Sequence, residues 1–365
     1  MKKYLMKSKK RYVFFCPSIE DGGVEKNLVN IMNNLGQELE LSLITANKDK
    51  IKRFKKNIKF IHPNSNFFNN TSRFIKSILC SVLLIKNFYN QDINIISFQS
   101  NVIAIFIAKI FNFKIIIRSN SSPNYYAKNI FKRFFFSKIF RYADEIIVNS
   151  NEFKKEFKKY FNLDSIRIYN LIEKKKDIIT KSKTKIKFDF FDNHKKTLKI
   201  LSIGRLVNQK NHISILKALN LIKNKKNFKF CIIGKGNNHK DLTKYIDLHN
   251  LKKKVKLIGY KKNVYPYIIK SDLFILSSIY EGLPNTLIEA LTLGTPVISS
   301  NCKTGPKEIL KNGKLGKLYK SNNHVQLAKY IFHFKKKIKK KYFYDERFDF
   351  DKNLLEYKKI LTKLN

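Results

Sequence analysis

Two glutamates, Glu281 and Glu289, stand on either side of a Gly-Leu-Pro turn in the stretch IYEGLPNTLIEALTLGTPVIS. This stretch follows the strand-like run DLFILSS, and it predicts a helix that begins near Asn285 as the N-cap and ends at Gly294. Helix N-termini attract anions such as a diphosphate, and carboxylates accept hydrogen bonds from hydroxyl groups. The pattern therefore predicts a site for a phosphate-bearing ligand rich in hydroxyl groups. The alternative is a capped helix whose glutamates are merely solvated.

Two cations, Arg205 and Lys210, lie in the stretch SIGRLVNQKNH, directly after the strand-like run LKILS. Ligands of open α/β sheets bind at the carboxyl ends of the strands. There an arginine binds phosphate oxygens through its bidentate fork, and a lysine acts as a point charge. The loop therefore predicts a diphosphate-binding site, with two ordinary surface cations of a basic protein as the alternative.

The elements that must position these residues alternate along the chain. Apolar runs such as YVFFC, INIIS, LKILSIG and FKFCIIG are separated by helical segments in both halves. Continuous strands rich in Val, Ile and Leu indicate parallel sheets covered on both faces, so we predict an α/β protein with two doubly wound domains. A polar, Lys-rich segment predicts the boundary. The expected divisions are 1–175 for the first domain, 176–195 for a linker, 196–341 for the second domain and 342–365 for a helical tail.

Composition limits the classes of partner. The 365 residues include 75 Lys+Arg and 27 Asp+Glu, for a net charge of +48, and 43% are apolar. Such a charge is typical of proteins that bind nucleic acid or anionic membranes, although codon bias in an A/T-rich genome also loads surfaces with lysine. A basic nucleic-acid-binding α/β protein is the alternative function. However, the sequence contains no helix-turn-helix, zinc-finger or RNP-type motif.

Targeting signals and redox chemistry indicate the compartment. We expect no secretory signal and no membrane-spanning segment, because the longest apolar run, SILCSVLLI, is far too short. Four widely spaced cysteines predict reduced, buried thiols. The expected localisation is therefore cytoplasmic, and the net charge favours a peripheral position on the inner face of the cytoplasmic membrane.

The order of motifs in the second half resembles the donor-binding domain of family 4 glycosyltransferases, the retaining enzymes of the GT-B fold. The resemblance covers GR with a lysine five residues on, IIGKGN, LIGY, EGLPNTLIEA and GTPVIS, from 198 to 319. The first half resembles the acceptor domain more loosely, through CPSIEDGGVEKNLVNI. The resemblance implies two Rossmann-like domains facing across a cleft, an N-terminal one for the acceptor and a C-terminal one for the nucleotide sugar.

The same resemblance implies an activity and a set of roles. The enzyme would move a hexose or N-acetylhexosamine from a nucleotide diphosphate sugar, a UDP-sugar, to a glycan or lipid-linked acceptor in polysaccharide, lipopolysaccharide or glycoprotein glycan assembly. Catalysis would involve Glu281 at the transferred sugar and Arg205 and Lys210 at the diphosphate. Glu289 would bind the ribose and Tyr260 the base. The full donor-binding set implied is Gly22, Gly23, Gly234, Tyr260, Gly282, Leu283, Pro284, Asn285, Thr286 and Glu289.

One departure from the family concerns the acceptor domain. Many members carry a histidine where this chain has Arg118-Ser119-Asn120, so a mechanism based on histidine is in doubt. The resemblance then makes Arg118 and Asn120 candidates for acceptor binding, and the alternative is that Arg118 only caps the sheet. No metal is predicted, because the histidines are scattered and the D-x-D pair Asp349 and Asp351 lies in the tail. No other cofactor is expected.

A basic, Phe-rich segment, KNIFKRFFFSKIFRY at 128–142, lies in the acceptor domain. Its five cations and six aromatics favour contact with an anionic bilayer, where a lipid-linked acceptor would be met. At helical period the aromatics spread nearly all round, so part of the segment must belong to the core.

Overall fold

The computed structural model describes residues 11–20, 22–192, 196–336 and 341–363. The chain divides into two compact units. The first comprises Met1–Ile172 together with Phe348–Asn365, and the second is Glu173–Arg347. The last helix therefore belongs to the first unit, although it follows the second unit in sequence.

Each unit contains one sheet in which every described pair of strands is parallel. The strand order is β3-β2-β1-β4-β5-β6-β7 in the first unit and β10-β9-β8-β11-β12-β13 in the second. The strands are β1 (Arg11–Phe15), β2 (Glu40–Ile44), β3 (Lys59–Ile61), β4 (Ile93–Ser97), β5 (Lys114–Ser119), β6 (Glu145–Val148), β7 (Ile166–Arg167), β8 (Leu198–Ile203), β9 (Phe228–Ile233), β10 (Val255–Leu257), β11 (Leu273–Leu276), β12 (Val297–Ser300) and β13 (Lys317–Tyr319). The predicted parallel α/β architecture is confirmed.

Helices connect the strands in the βα alternation that parallel pairing requires. They are α1 (Gly23–Leu35), α2 (Arg73–Phe88), α3 (Asn101–Ile110), α4 (Pro123–Tyr126), α5 (Ile130–Phe140), α6 (Asn151–Phe161), α7 (Lys175–Ser182), α8 (Asp189–Asp192), α9 (His212–Ile222), α10 (His239–Leu248), α11 (Tyr265–Lys270), α12 (Asn285–Thr292), α13 (Pro306–Ile309), α14 (His324–Phe332) and α15 (Phe350–Lys363). Short 3₁₀ segments occur at Lys48–Arg53, Asn66–Asn70, Asn208–Lys210 and Glu346–Phe348.

The first sheet has a hydrophobic core on each face. On one face α2, α3, α5 and α6 contribute buried residues that include Cys80, Ala104, Phe140 and Phe157. On the other face lie α1 and α15, whose Tyr357 is buried. Helix α15 is tied to β1 because Tyr12 Oη donates to the Leu361 carbonyl over 2.9 Å.

The segment expected to be a linker, 176–195, contains helix α8 and most of α7. Helix α7 packs against α11 and α12 of the second unit, with Ile178 and Ser182 buried. Its lysines conceal this packing in the sequence, because only two of its residues face inward. In the same unit β8 to β13 pack with α9, α10 and α14 around a core that includes Ile215, Leu219 and Ile275.

Burial also accounts for the cysteines. Cys16, Cys80, Cys231 and Cys302 are all free and buried. Burial raises the pKa of the Cys80, Cys231 and Cys302 thiols to about 12, so these side chains behave as small apolar groups.

Candidate functional site

The candidate site is built on the loops that follow β8 and β11, which are adjacent strands in the second sheet. These loops are joined by hydrogen bonds. The amide of Ile279 donates to the Gln209 carbonyl at 2.8 Å, and Gln209 Nε2 donates to the Tyr280 carbonyl at 2.9 Å. Ser277 Oγ donates to the Lys210 carbonyl at 2.8 Å. The two loops thus form one structural unit at the carboxyl edge of the sheet.

Lys210 and Glu281 meet where these two loops join. Lys210 Nζ lies 2.6 Å from Glu281 Oε1, and the two side chains are 18% and 7% exposed. Ser278 Oγ donates to the same carboxylate oxygen at 2.6 Å. Charge-assisted bonds in such a water-poor place are strong and directional. The sequence motifs that carry these residues lie 71 positions apart, and the structure brings them into contact.

A second layer of hydroxyl groups holds the Glu281 loop from beneath. Ser300, at the end of β12, donates to the Ser278 carbonyl at 2.6 Å, and Thr304 donates through Oγ1 to the Glu281 carbonyl. The sequence analysis did not identify Ser278, Ser300 or Thr304. The only available signal was the position of each at or shortly after the end of an apolar strand, which many structural serines and threonines share.

The helix after the turn between the two glutamates begins one residue differently from the prediction. Pro284 occupies the N-cap position of α12 and Asn285 is the first helical residue, so the prediction that Asn285 is the N-cap was wrong. The turn is packed closely against the loop after β12. A Cβ atom at Gly305, whose φ is +84°, would lie 2.4 Å from the Gly282 carbonyl oxygen. Only glycine fits there without strain. Leu283 is buried and Thr286 is partly exposed.

Glu289 lies on the inner side of α12. It is only 2% exposed, and Tyr265 Oη donates to its Oε1 at 3.3 Å. Glu281 is buried as well. The alternative in which both glutamates are merely solvated is therefore excluded. Carboxylates are rarely buried unless they are paired or bound, which marks both positions as special.

Arg205 and Tyr260 are the exposed members of the candidate set in the second unit. Arg205 Nη2 donates to Gln209 Oε1 at 3.5 Å. Tyr260 is 49% exposed, and Lys235 Nζ lies 5.4 Å from its ring centre. An aromatic ring this exposed is available to stack on a planar ligand. With half of its surface exposed, Tyr260 is not a core-packing residue.

Glycines let the strand ends of this edge approach one another. The amide of Gly204 donates to the Ile233 carbonyl at 3.0 Å, and the amide of Gly234 donates to the Gly259 carbonyl at 2.9 Å. A Cβ atom at Gly234 would lie 1.9 Å from the Gly204 carbonyl oxygen. Gly234 is therefore required by the fold itself, whatever it contacts in a ligand.

His212, the first residue of α9, lies beneath the Arg205 and Lys210 loop and was also missed by the sequence analysis. Its ring is buried, and Nδ1 lies 3.3 Å from Ser202 Oγ. Burial, together with the charge of Lys210, lowers the pKa of His212 to about 4. The imidazole is therefore neutral at physiological pH, and it supports the cationic loop without adding charge.

Four candidate residues belong to the first unit. Gly22 is the N-cap of α1 and Gly23 is its first residue. A Cβ atom at Gly22 would lie 2.5 Å from Glu25 Oε2, so this turn is tight. Asn120 is partly exposed and donates through Nδ2 to the Phe98 carbonyl at 2.9 Å.

Arg118 differs from its predicted role in acceptor binding. It is fully buried, and its guanidinium donates to Asn170 Oδ1 at 2.5 Å, to Asn120 Oδ1 at 3.2 Å and to the hydroxyl of Tyr357. Burial lowers its pKa to about 9, which still leaves it charged at neutral pH. We therefore correct the expectation: Arg118 joins β5 to helix α15 and has no surface with which to contact a ligand. This is close to the structural alternative that the sequence left open.

Comparisons with known proteins agree with this architecture. Residues 183–346 match the family model described as glycosyl transferases group 1. An uncharacterized glycosyltransferase of Methanocaldococcus jannaschii is 35% identical over 174 residues, which span 47% of this chain and 43% of that protein.

A second relative matches over most of its length. It is the N-acetylgalactosamine-N,N'-diacetylbacillosaminyl-diphospho-undecaprenol 4-alpha-N-acetylgalactosaminyltransferase of Campylobacter jejuni, 28% identical over 331 residues, 85% of this chain and 86% of the relative. Among solved structures, the Anabaena protein HepE in complex with UDP and glucose superimposes with a TM-score of 0.73 and 16% identity, covering 97% of this chain and 100% of that one.

Proposed function

We propose that the chain, which has the GT-B fold and matches the glycosyl transferases group 1 model over residues 183–346, is a glycosyltransferase that transfers a hexose or an N-acetylhexosamine from a UDP-sugar to a lipid-linked glycan acceptor. Assignment to family 4, with retention at the anomeric carbon, is part of the proposal. The solved HepE structure contains UDP and glucose, which supports the choice of donor. The Campylobacter relative is named for a saccharide on diphospho-undecaprenol, which supports a lipid-linked acceptor. The three proteins compared above give no support to the nucleic-acid-binding alternative.

The single observation that carries the proposal is the Lys210–Glu281 pair. A cation suited to phosphate and a carboxylate suited to hydroxyl groups lie 2.6 Å apart, largely buried, at the edge of the sheet where α/β proteins bind ligands. A nucleotide sugar presents its diphosphate and its transferred sugar next to each other. Both described bonds to the Glu281 carboxylate end on Oε1, so Oε2 is the oxygen that we assign to the sugar.

The other candidates take roles around this pair. Arg205, exposed at the same loop, would bind the diphosphate and stabilise the negative charge that develops as the nucleoside diphosphate departs. The backbone N–H groups of Gly282, Leu283 and Asn285, at the start of α12, would add hydrogen bonds, whereas Pro284 has no N–H to donate. Glu289 would hold the ribose hydroxyls and Tyr260 would stack on the base. The role of Gly22 and Gly23 at the donor phosphates stays a prediction from the sequence.

Peripheral attachment to the inner face of the cytoplasmic membrane is proposed for the acceptor domain. In the described part of the chain no helix combines the length and apolarity that a bilayer-spanning helix needs. The basic segment at 128–142 contains both buried and exposed aromatic residues, as its periodicity predicted. Ile139 and Phe140 are buried, whereas Phe131 and Phe134 are exposed beside Lys132. An exposed mixture of Phe and Lys is suited to an anionic lipid surface.

A nucleotide screen tests the proposed donor. Thermal unfolding is measured with UDP, with GDP and with a single-stranded oligonucleotide, and UDP- and GDP-sugars are then assayed for hydrolysis and transfer. A ligand at a hundred times its Kd should stabilise the protein by about 2.7 kcal/mol. Stabilisation by UDP and turnover of a UDP-sugar support the proposal. Stabilisation by the oligonucleotide alone, with steep salt dependence, would refute it.

A further inference from the structure

The exposed apolar side chains of the first unit are concentrated on one side of its sheet. Among the described residues of this unit, every exposed large apolar side chain except Leu355 lies on or beside α2, α3 and α5, or in the short segments that lead into them. These side chains are Phe67, Phe74, Ile75, Ile78, Val82, Tyr89, Phe106, Ile110, Tyr125, Ile130, Phe131, Phe134, Phe135 and Tyr142. We call this set of side chains the apolar face.

The apolar face is continuous across three neighbouring helices. Helix α2 packs against α3, and α3 packs against α5. Ile78 and Val82 follow Phe74 at intervals of four, so they align along the outer side of α2, and Phe106 and Ile110 do the same on α3. Their inner sides contribute to the core. These helices are therefore apolar on both sides, whereas an ordinary surface helix has a polar outer side.

Helix α6 provides an internal comparison because it covers the same face of the same sheet. Its outer residues include Lys154, Lys155, Lys158 and Lys159, all exposed, and Glu152 and Glu156 are interspersed. A bias toward apolar codons would affect α6 as much as α2. The apolar outer sides are consequently specific to α2, α3 and α5. Single scattered apolar residues, which are normal on protein surfaces, would not form such a continuous patch.

Charge indicates what covers the apolar face. Helices α2, α3 and α5 contain no Asp or Glu. The stretch from 51 to 143, about a quarter of the chain, contains one of its 27 acidic residues, Asp92. Lysines are interleaved with the rings: Lys138 Nζ lies 4.4 Å from the ring centre of Phe134, and Lys128 Nζ lies 5.2 Å from that of Tyr125. A bias toward lysine codons adds cations everywhere, but it does not remove acids from one region.

From these observations we propose that the apolar face is an insertion surface for an anionic phospholipid bilayer, in which α2 and α3 take part together with the segment at 128–142. This inference rests on the proposed function in one respect: an enzyme that acts on a lipid-linked acceptor must reach the membrane that holds it. Apolar side chains enter the interfacial region while the interleaved lysines and arginines bind lipid phosphates. Binding thus combines apolar burial with electrostatic attraction, and neither part alone is sufficient.

Tryptophan substitutions test which helices enter the bilayer, because the chain contains no tryptophan of its own. Phe74→Trp, Phe106→Trp and Phe134→Trp place one reporter on each helix, and Phe332→Trp, on α14 of the second unit, is the control. Each variant is mixed with vesicles of phosphatidylcholine, with or without phosphatidylglycerol. With anionic vesicles we expect a blue shift of emission and quenching by brominated acyl chains for the three face reporters, and neither effect for Phe332→Trp.

Three outcomes would overturn the inference. A response from Phe134→Trp without one from Phe74→Trp and Phe106→Trp would restrict lipid contact to α5. A blue shift that grows with protein concentration in the absence of vesicles would identify the face as an interface between two copies of the chain. An equal response to neutral vesicles would remove the role of the cations.

Serine substitutions measure the apolar contribution. The variant Phe74→Ser/Ile78→Ser/Val82→Ser removes three exposed side chains from the face, and Leu221→Ser/Leu248→Ser/Leu355→Ser removes three exposed side chains elsewhere. Partition to anionic vesicles should fall about tenfold or more in the first variant and stay unchanged in the second. UDP stabilisation, measured on both, should be unaffected. Loss of vesicle binding in the first variant with intact UDP binding would support the insertion surface. Absence of UDP binding with intact vesicle binding would count against the proposed function alone.

Discussion

Lys210 and Glu281 form an ion pair, with 2.6 Å between Lys210 Nζ and Glu281 Oε1. The cation comes from the loop after β8 and the carboxylate from the loop after β11, and Ser278 donates to the same carboxylate oxygen at 2.6 Å. The pair compensates two largely buried charges. In the proposed function a diphosphate near Lys210 and a sugar hydroxyl near Glu281 would share this pair, so binding and preorganisation would depend on the same two residues.

The substitution Glu281→Gln should impair transfer without unfolding the protein. The amide oxygen still accepts hydrogen bonds from Lys210 and Ser278, but it no longer compensates charge at the reacting sugar. We expect kcat to fall by about 100-fold or more, with a smaller rise in donor KM. Steady-state kinetics with a competent donor and a melting curve check both parts. Turnover equal to that of the unsubstituted enzyme would rule out this role for Glu281.

Ser278→Ala should reveal whether the hydroxyl positions Glu281. Loss of one charge-assisted hydrogen bond lets the carboxylate rotate, and we expect kcat to fall by about tenfold while donor KM changes little. Ser278→Thr retains the hydroxyl and should restore most of the activity. A rise in KM alone, or no rescue by threonine, would indicate that Ser278 only packs.

Arg205→Ala and Lys210→Ala should each weaken UDP binding, because each removes a cation from the proposed diphosphate site. An increase of about tenfold or more in Kd is expected for each, measured by calorimetry. Lys185→Ala and Lys187→Ala are matched controls, since both lysines are exposed in the same unit and lie outside the two loops. Equal losses in all four variants would mean that nucleotide affinity is diffuse electrostatics.

Tyr265→Phe tests the contact at Glu289. The substitution removes the hydroxyl that donates to Glu289 Oε1 at 3.3 Å and keeps the buried ring. We expect donor KM to rise severalfold with kcat nearly unchanged, because a ribose contact stabilises the ground state and the transition state alike. The double variant Tyr265→Phe/Glu289→Gln should then be little worse than Glu289→Gln. Additive effects would show that the two side chains act independently.

His212 should make the folded protein less stable as the pH falls. Its pKa is lowered from 6.5 to about 4 in the folded protein, so between those values the unfolded chain binds a proton that the folded chain does not. The free energy of unfolding should therefore decrease as the pH falls from about 6.5 to about 4, by up to about 3 kcal/mol from this group. Denaturant titrations across this range should show a shallower decline in His212→Gln. Identical pH profiles would contradict the assignment.

The order of strands and helices, and the motifs on them, could be read from the sequence because they depend on local patterns. Buried parallel strands require continuous apolar runs, and a glycine-containing turn after a strand marks its carboxyl end. Arg205, Lys210, Glu281 and Glu289 were identified in this way. Helix α7 was missed, because its few inward residues are hidden among lysines.

Tertiary structure decided what the candidate residues touch. Burial follows from packing between distant segments, so the sequence could not tell that Arg118 is enclosed with Tyr357, 239 positions away, or that His212 lies neutral beneath the cationic loop. The pairing of Lys210 with Glu281 required β8 and β11 to be neighbours in the sheet. The apolar face likewise exists only because α2, α3 and α5 cover the same side of one sheet, which makes a continuous surface of residues that are separate in sequence.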